Sequence, residues 1–558
     1  MPVFSQDTTS LLPLAIEDPQ MDAYLSNRNP ATLTIRLLNS PANLGKTDVK
    51  CSLVTFGPDF QTTRHEQIGT TREITLTLED NLPYQQIWLT VGNYLYAGIY
   101  VNTELTVSID LDLVKEKVYM IGKGIRYAGR DGELNTVMNE YVLFRREERH
   151  ALSQGIDSLK RIKRELTEAV FLTQIDSIRS QMDEINAAFI AKHPRFGWAV
   201  TNEVNSEFYG KMCTVYWGDK LPEKLAKQMD QHRPFFTSNE GVLFYKYFTT
   251  YTVYRKDFPS PRVHEALMTN YAKYNDDQRA VLDTISKLEK LRVEEQKEKM
   301  QSMNALYKKR SEVFFEDIQK IKILHHMAII DSAFHGTRAD ILKLCLMDMG
   351  KNAFSLTYSI LLKGTRTNWC KSVVEKELSQ SLATQKQINV LLNSGGAIAN
   401  PEAVFGRPVT SLPFGANLYR LDTLDDAGLF IRGLQSRFKD KALIVDFWAT
   451  WCAPCLAAMP YSKKLHEENG DLPVEYIYLC TSSSSNETLW KNKVAELQIP
   501  GTHIFMADKI VSELKKALDA SGGFPAYVLI DNRGKIHPKR INGIVEVDRD
   551  VLMELVGR

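Results

Sequence analysis

The chain is poor in cysteine, with seven in 558 residues, and these are too scattered to frame a disulfide-stapled domain. It has no excess of either charge: 69 Lys and Arg face 68 Asp and Glu, a formal net charge of +1. No overall field therefore draws it to nucleic acid or to an anionic membrane, and no nucleic-acid partner is expected. Nowhere does an apolar run approach the roughly 18 residues that carry a helix across a bilayer, so no transmembrane segment is expected in this chain. Proline is missing between Pro261 and Pro401, which leaves room for long helices. Internal repeats and low-complexity tracts are also absent. Hydrophobic and charged contents of 44% and 25% are globular averages and exclude disordered and collagen-like classes. The length exceeds what one core organises, so several domains are expected.

Residues 1–29 read as an N-terminal tail. Pro2-Val3-Phe4-Ser5-Gln6, followed by polar Asp7-Thr8-Thr9-Ser10, resembles the end of a signal peptide, with a small residue where a peptidase cuts. The expectation is an exported, periplasmic protein whose leader is truncated or trimmed. The alternative is an ordinary cytoplasmic N-terminus.

From residue 30 to 115 the pattern has period two. Leu33, Ile35 and Leu37 alternate with Thr32, Thr34 and Arg36, and Leu105, Val107, Ile109 and Leu111 alternate with Thr106, Ser108 and Asp110. Such alternation predicts half-buried strands in an antiparallel β-sandwich of about six strands. Residues 116–392 turn to helical periodicity and predict an all-α domain. Within it, Asp276 to Lys322 holds eleven Lys or Arg and ten Asp or Glu, with Leu282, Ile285, Leu288 and Leu291 in a narrow apolar stripe. This is a solvated helix face with one packed edge, or a coiled-coil surface for a partner. Asn393-Ser394-Gly395-Gly396, Pro401, Gly406, Pro408, Pro413 and Gly415 mark 393–416 as a linker. Over 417–558, apolar runs such as Ala442 to Trp448 and Val474 to Leu479 alternate with helical segments, which predicts an α/β layer domain. The fold class is thus multidomain: sandwich, helical middle, and C-terminal α/β domain.

The chemistry concentrates at Asp446-Phe447-Trp448-Ala449-Thr450-Trp451-Cys452-Ala453-Pro454-Cys455, where two cysteines stand three apart at the corner between a buried strand and a helix. A sulfur at a helix N-terminus meets unpaired N–H groups and the positive end of the dipole, both of which favour a thiolate, so Cys452 is the candidate nucleophile. Cys455 follows almost one turn later and is placed to resolve a mixed disulfide. Pro454 removes an N–H where a first turn tolerates the loss and stiffens the loop. Zinc would need more ligands, and the next histidine, His466, is eleven residues on. A structural disulfide is a further alternative. His325-His326 lack metal spacing and no metal site is expected. Cys213, Cys345 and Cys480 lie in apolar stretches and read as packing residues.

This motif resembles the active site of the thioredoxin superfamily, and its surroundings resemble the TlpA/ResA-like thiol-disulfide oxidoreductases, here with a large N-terminal extension. The resemblance covers about residues 403–558 and implies a thioredoxin-like fold for the C-terminal domain. It implies Cys452 as attacking thiol, Cys455 as resolving thiol, Pro460 as the proline that kinks the active-site helix, and Pro525 as a cis-proline facing the disulfide. Phe524 before it and Trp451 would contact substrate, and Asp446 would shuttle the proton of Cys455 because a buried carboxyl has a raised pKa. The pattern departs at Ala457-Ala458, where many relatives carry a glutamate. The implied function is reduction of disulfides in extracytoplasmic proteins. No cofactor is expected beyond the redox-active cysteine pair; the partners are protein thiols and disulfides, and an upstream thiol electron donor, soluble or membrane-bound. An oxidase or isomerase of the same fold, a peroxidase, or a partner-binding protein using the domain as scaffold are the alternatives.

Overall fold

The structure, a computed structural model, describes residues 13–558 except residues 42, 81, 292, 351–353 and 521. The signal-peptide reading of Pro2 to Ser10 lies outside the described residues. Two compact units are present: one comprises the chain up to Asn270 together with Glu316–Glu377, the other Tyr271–Phe315 together with Leu378–Arg558.

In the first unit the described residues form nine strands, of which β1 and β7 alternate most regularly: β1 (Thr32–Leu38), β2 (Thr47–Val54), β3 (Gln61–Ile68), β4 (Glu73–Thr77), β5 (Gln85–Val91), β6 (Leu95–Val101), β7 (Glu104–Asp110), β8 (Val118–Tyr119) and β9 (Ile125–Ala128). They form a four-stranded sheet, β4-β1-β7-β9, and a five-stranded sheet, β3-β2-β5-β6-β8. Leu33, Ile35 and Val107 of one share a buried cluster with Val49, Leu89 and Ile99 of the other. The pairing is not wholly antiparallel as expected. β1 and β7 run parallel, with Leu33 opposite Leu105, because the chain passes through both sheets between them and supplies the crossover that parallel pairing needs.

The rest of this unit is helical, with Glu168–Ile190, Gly197–Val215 and Asn239–Val253 as long members. The expected tail is tied in: Met21–Asn27 is a helix, and the Asp22 carboxylate accepts the N–H groups of Asn368 and Trp369 at 2.9 Å each. The stretch 116–392, expected as one helical domain, opens with β8 and β9 and is divided between the two units. Its proline-free part is not uniformly long helices either. Val293–Glu298 has 6 residues and Gly336–Leu344 has 9, against 26 for Asn368–Asn393. Glycine can interrupt helices as proline does: Gly336, with φ of +62°, opens the 9-residue helix after the preceding one has ended at Ala333.

The second unit holds a seven-stranded sheet built from β10 (Arg407–Leu412), β11 (Ala416–Leu421), β12 (Ala442–Trp448), β13 (Val474–Thr481), β14 (Gly501–Met506), β15 (Ala526–Ile530) and β16 (Ile536–Pro538), in the order β10-β11-β14-β13-β12-β15-β16. β11, β14, β13 and β12 are parallel and β15 is antiparallel to β12. The predicted linker 393–416 is therefore partly sheet. Its glycines and prolines are hairpin features: Pro408 sits in an edge strand, where a missing N–H costs least, and Gly415, φ +84°, lies in the turn to β11.

β12 is central and buried along its whole length. Side-chain alternation sends Leu443, Val445 and Phe447 into a cluster with Phe430 and Leu514, from helices Ala427–Arg437 and Asp508–Ala517. Ile444 and Trp448 point to the opposite face, into a cluster with Met459 and Leu465 of helix Ala453–Glu468 and Leu552 of helix Arg549–Leu555. Helices thus cover both faces of the sheet, as a largely parallel sheet requires.

Candidate active site

Strand β12 ends at Trp448, and four residues later Cys452 is the N-cap of helix Ala453–Glu468. The Cys455 N–H donates to Cys452 Sγ at 3.2 Å, so sulfur occupies the place of a capping oxygen. Pro454 lies in the first turn and takes away a donor that would otherwise need a partner. Cys452 and Cys455 are joined in a disulfide. Both are buried, 4% and 1% exposed, while Trp451, next to Cys452 in the chain, is 47% exposed. Pro460 stands inside the same helix, where its lack of an N–H leaves the Leu456 carbonyl without its intrahelical donor.

The loop before β15 closes the site from the other side. The Phe524–Pro525 bond is cis. The Phe524 ring meets Trp451 edge-to-face with centroids 6.0 Å apart, so the two candidate substrate contacts form one aromatic lip.

Asp446 is six residues before Cys452 and two before Trp448, hence on the sheet face that the active-site helix covers. It is 5% exposed, and burial alone pushes its carboxyl from the ordinary 3.8 up to about 8. Its cross-strand neighbours are Tyr478 on β13 and Tyr527 on β15. The Tyr478 hydroxyl pairs with Ser462 Oγ at 2.7 Å. Asp446 Oδ1 has no hydrogen-bond partner among the described residues, so its desolvation is left without that compensation.

This arrangement, a cysteine pair capping a helix beside a cis-proline loop, permits reversible two-electron thiol chemistry. Residues 433–548 match the Redoxin family model. The chain is 33% identical over 105 residues to the thiol-disulfide oxidoreductase ResA of Bacillus cereus, covering 18% of this chain and 56% of that protein. It is 32% identical over 100 residues to ResA of Bacillus anthracis, covering 18% and 53%. The chain thus spans about half the length of these curated relatives. Among solved structures it is similar to the thioredoxin domain of a thiol-disulfide oxidoreductase from Bacteroides vulgatus, at 26% identity and a TM-score of 0.19, covering 22% of this chain and 80% of that one. A Redoxin domain similar to ResA-type oxidoreductases therefore follows a large N-terminal extension.

Sequence reading missed the residues that brace the Redoxin domain's active-site turn. Thr450 Oγ1 donates to Ser485 Oγ at 2.7 Å, both side chains being buried, and Trp451 Nε1 donates to the Ser483 carbonyl at 2.6 Å. A run of four serines, Ser482 to Ser485, carries no periodicity and reads as loop. It also missed Lys515, buried on helix Asp508–Ala517. A signal existed, because position 515 is four residues after Val511 and falls on that helix's apolar face. His466, weighed as a zinc ligand, packs its ring on Tyr476 at 4.8 Å. The five other cysteines, Cys51, Cys213, Cys345, Cys370 and Cys480, are buried, and burial raises every one of their thiol pKa values.

Proposed function

We propose that this protein is a thiol-disulfide oxidoreductase that reduces disulfides of extracytoplasmic proteins through Cys452 and Cys455. The observation that carries the reading is the Cys455 N–H aimed at Cys452 Sγ at a helix N-terminus, a geometry that lowers the cost of a thiolate on Cys452.

In the reduced protein the Cys452 thiolate attacks one sulfur of a substrate disulfide. An S–S bond forms between protein and substrate, and the other substrate sulfur leaves as a thiolate that takes a proton. Asp446, ionised, accepts the Cys455 proton, and the resulting thiolate attacks Cys452 Sγ. The mixed disulfide breaks, the second substrate sulfur leaves as a thiolate that takes a proton, Asp446 releases the proton it held, and two electrons have passed from the dithiol to the substrate. The Cys452–Cys455 disulfide is then reduced by an upstream thiol donor, soluble or membrane-bound. The cysteine pair is itself the redox group, so this cycle requires no bound cofactor. Trp451, Phe524 and Pro525 form the surface that meets the substrate chain.

The reducing direction and the periplasmic location rest on the TlpA/ResA resemblance.

Replacing Cys455 with Ser is the test. The variant should accumulate substrate proteins on Cys452 as mixed disulfides that dissolve with excess dithiol, and the unaltered protein should reduce insulin. Absence of both adduct and insulin reduction rejects the reading. If adducts form but the measured potential of the pair lies near the strongly oxidising end of thioredoxin-fold proteins, the enzyme is an oxidase instead.

A further inference from the structure

The loop that carries Pro525 begins Gly522-Gly523-Phe524, a segment without side chains to hold its first two residues. Gly522 has φ of +128°, and neither glycine has any heavy atom within 4 Å of where a Cβ would stand. The backbone there is held from outside. Lys515 Nζ donates to the carbonyls of Gly522 and Gly523 at 2.7 Å each, and lies 4.6 Å from the centre of the Phe524 ring. One ammonium group thus grips three successive residues, and the third is in edge contact with Trp451 beside Cys452.

Lys515 is an unusual choice for a helix interior. It is 7% exposed, whereas its neighbour Lys516 is exposed. Burial lowers its pKa. A buried ammonium whose partners are main-chain carbonyls and an aromatic face is costly unless those contacts are made well. Hydrogen bonds from a charged donor are also roughly twice as strong as neutral ones. The contacts therefore fix the loop more firmly than a neutral side chain would.

We propose that Lys515 is a positioning residue for polypeptide substrates: it holds the Gly522–Phe524 backbone and the Phe524 ring in the conformation that receives an extended chain flanking the disulfide. The inference rests on the oxidoreductase reading and extends it to how the substrate class is selected. A folded or extended polypeptide pairs with the loop backbone, whereas a small aromatic disulfide needs only the Cys452 sulfur. The clamp should therefore matter to the first and not to the second. No new covalent step is involved; the dithiol supplies both electrons in either case.

The experiment compares pre-reduced protein in single turnovers against insulin and against the small disulfide dithiobis-nitrobenzoate. With Lys515→Met, the half-saturating insulin concentration should rise roughly tenfold or more while the maximal rate changes much less, the pattern of lost binding rather than lost chemistry. The rate with dithiobis-nitrobenzoate should stay within about twofold of the unaltered protein. Lys516→Met removes the same charge from the exposed neighbouring position and should change neither. If Lys515→Met does not fold, Lys515→Gln, which keeps a donor but no charge, serves in the same comparison. An unchanged half-saturation for insulin overturns the proposal, as does an equal loss toward both disulfides, which would mark a purely structural role. Unaltered protein inert toward both disulfides would instead reject the oxidoreductase reading, and the clamp with it.

Discussion

Asp446 on β12 and Tyr527 on β15 stand directly opposite each other in the sheet. Both are buried, and the Tyr527 hydroxyl, like Asp446 Oδ1, has no hydrogen-bond partner among the described residues. The carboxyl raises the phenol's pKa in addition to the effect of burial. A polar pair left this poorly satisfied in the middle of a core costs stability, and such costs concentrate where chemistry needs them.

The first consequence concerns rate. Asp446→Asn removes the proton acceptor proposed for Cys455, and general base catalysis contributes roughly 100-fold or more. Resolution of the mixed disulfide should slow by about that factor at neutral pH, while the first attack by Cys452 changes little. In the unaltered protein the resolving rate should rise with pH through about 8 and lose that inflection in the variant. Rapid-quench separation of the mixed disulfide reads both steps.

The same group sets a pH dependence of stability. Below the unfolded pKa of about 3.8 the carboxyl is protonated in both states; between that value and about 8 the unfolded chain releases a proton that the folded chain keeps. Stability contributed by this position is therefore fully present at acid pH and is lost as pH rises through about 8. Asp446→Asn, which does not ionise, should be more stable than the unaltered domain by a few kcal/mol near pH 8, with the difference shrinking toward pH 4. Denaturant unfolding of the two proteins across that range checks it; a difference that stays constant with pH would contradict the burial of an ionisable Asp446.

The Thr450–Ser485 hydroxyl pair offers a test of the active-site turn. Thr450→Val strands a buried Ser485 hydroxyl and should destabilise the Redoxin domain by about 1–2 kcal/mol. Adding Ser485→Ala removes the stranded group, so the double variant should recover part of the loss rather than add to it. A double-mutant cycle by denaturant unfolding decides; additive losses would mean that the hydroxyls do not act as a pair.

In the first unit, Asp340 is 3% exposed and gathers four donors: on one oxygen the Arg366 N–H at 2.9 Å, the Thr367 N–H at 2.7 Å and the Thr367 hydroxyl at 2.8 Å, and on the other the Lys343 ammonium at 3.4 Å. Asp340→Ala should cost about 3 kcal/mol or more because all four lose this acceptor. Asp340→Asn keeps one oxygen and should cost about half as much. Calorimetry of the full chain should show the loss in one transition only, with the Redoxin domain's transition unmoved.

The alternation of Leu33, Ile35 and Leu37 made the first strands readable, since a half-buried sheet demands it. Parallel pairing of β1 with β7 was not readable, because register between distant strands leaves no mark in local periodicity. Cys452 and Cys455 were legible because dithiol chemistry needs that residue type at that spacing, whereas Pro525 came only through the resemblance to thioredoxin-like proteins. Lys515 was not: its position on an apolar helix face looks like an error of pattern until the carbonyls of Gly522 and Gly523 are seen against it. The glycines and prolines of 393–416 misled in the opposite way, since the same residues that loosen a linker also turn and end the hairpin of β10 and β11.

The five cysteines outside the site are all buried with their thiols pushed toward high pKa, Cys51 and Cys345 to about 12. In an oxidising surrounding, a thiol that does not ionise neither attacks a disulfide nor captures a passing one. The folded protein thus shows the outside world a single two-electron couple. Its other sulfurs enter the redox ledger only when the chain opens, so an alkylating reagent that reaches Cys452 first in the reduced native protein and all seven thiols in the unfolded one would measure folding as directly as it measures chemistry.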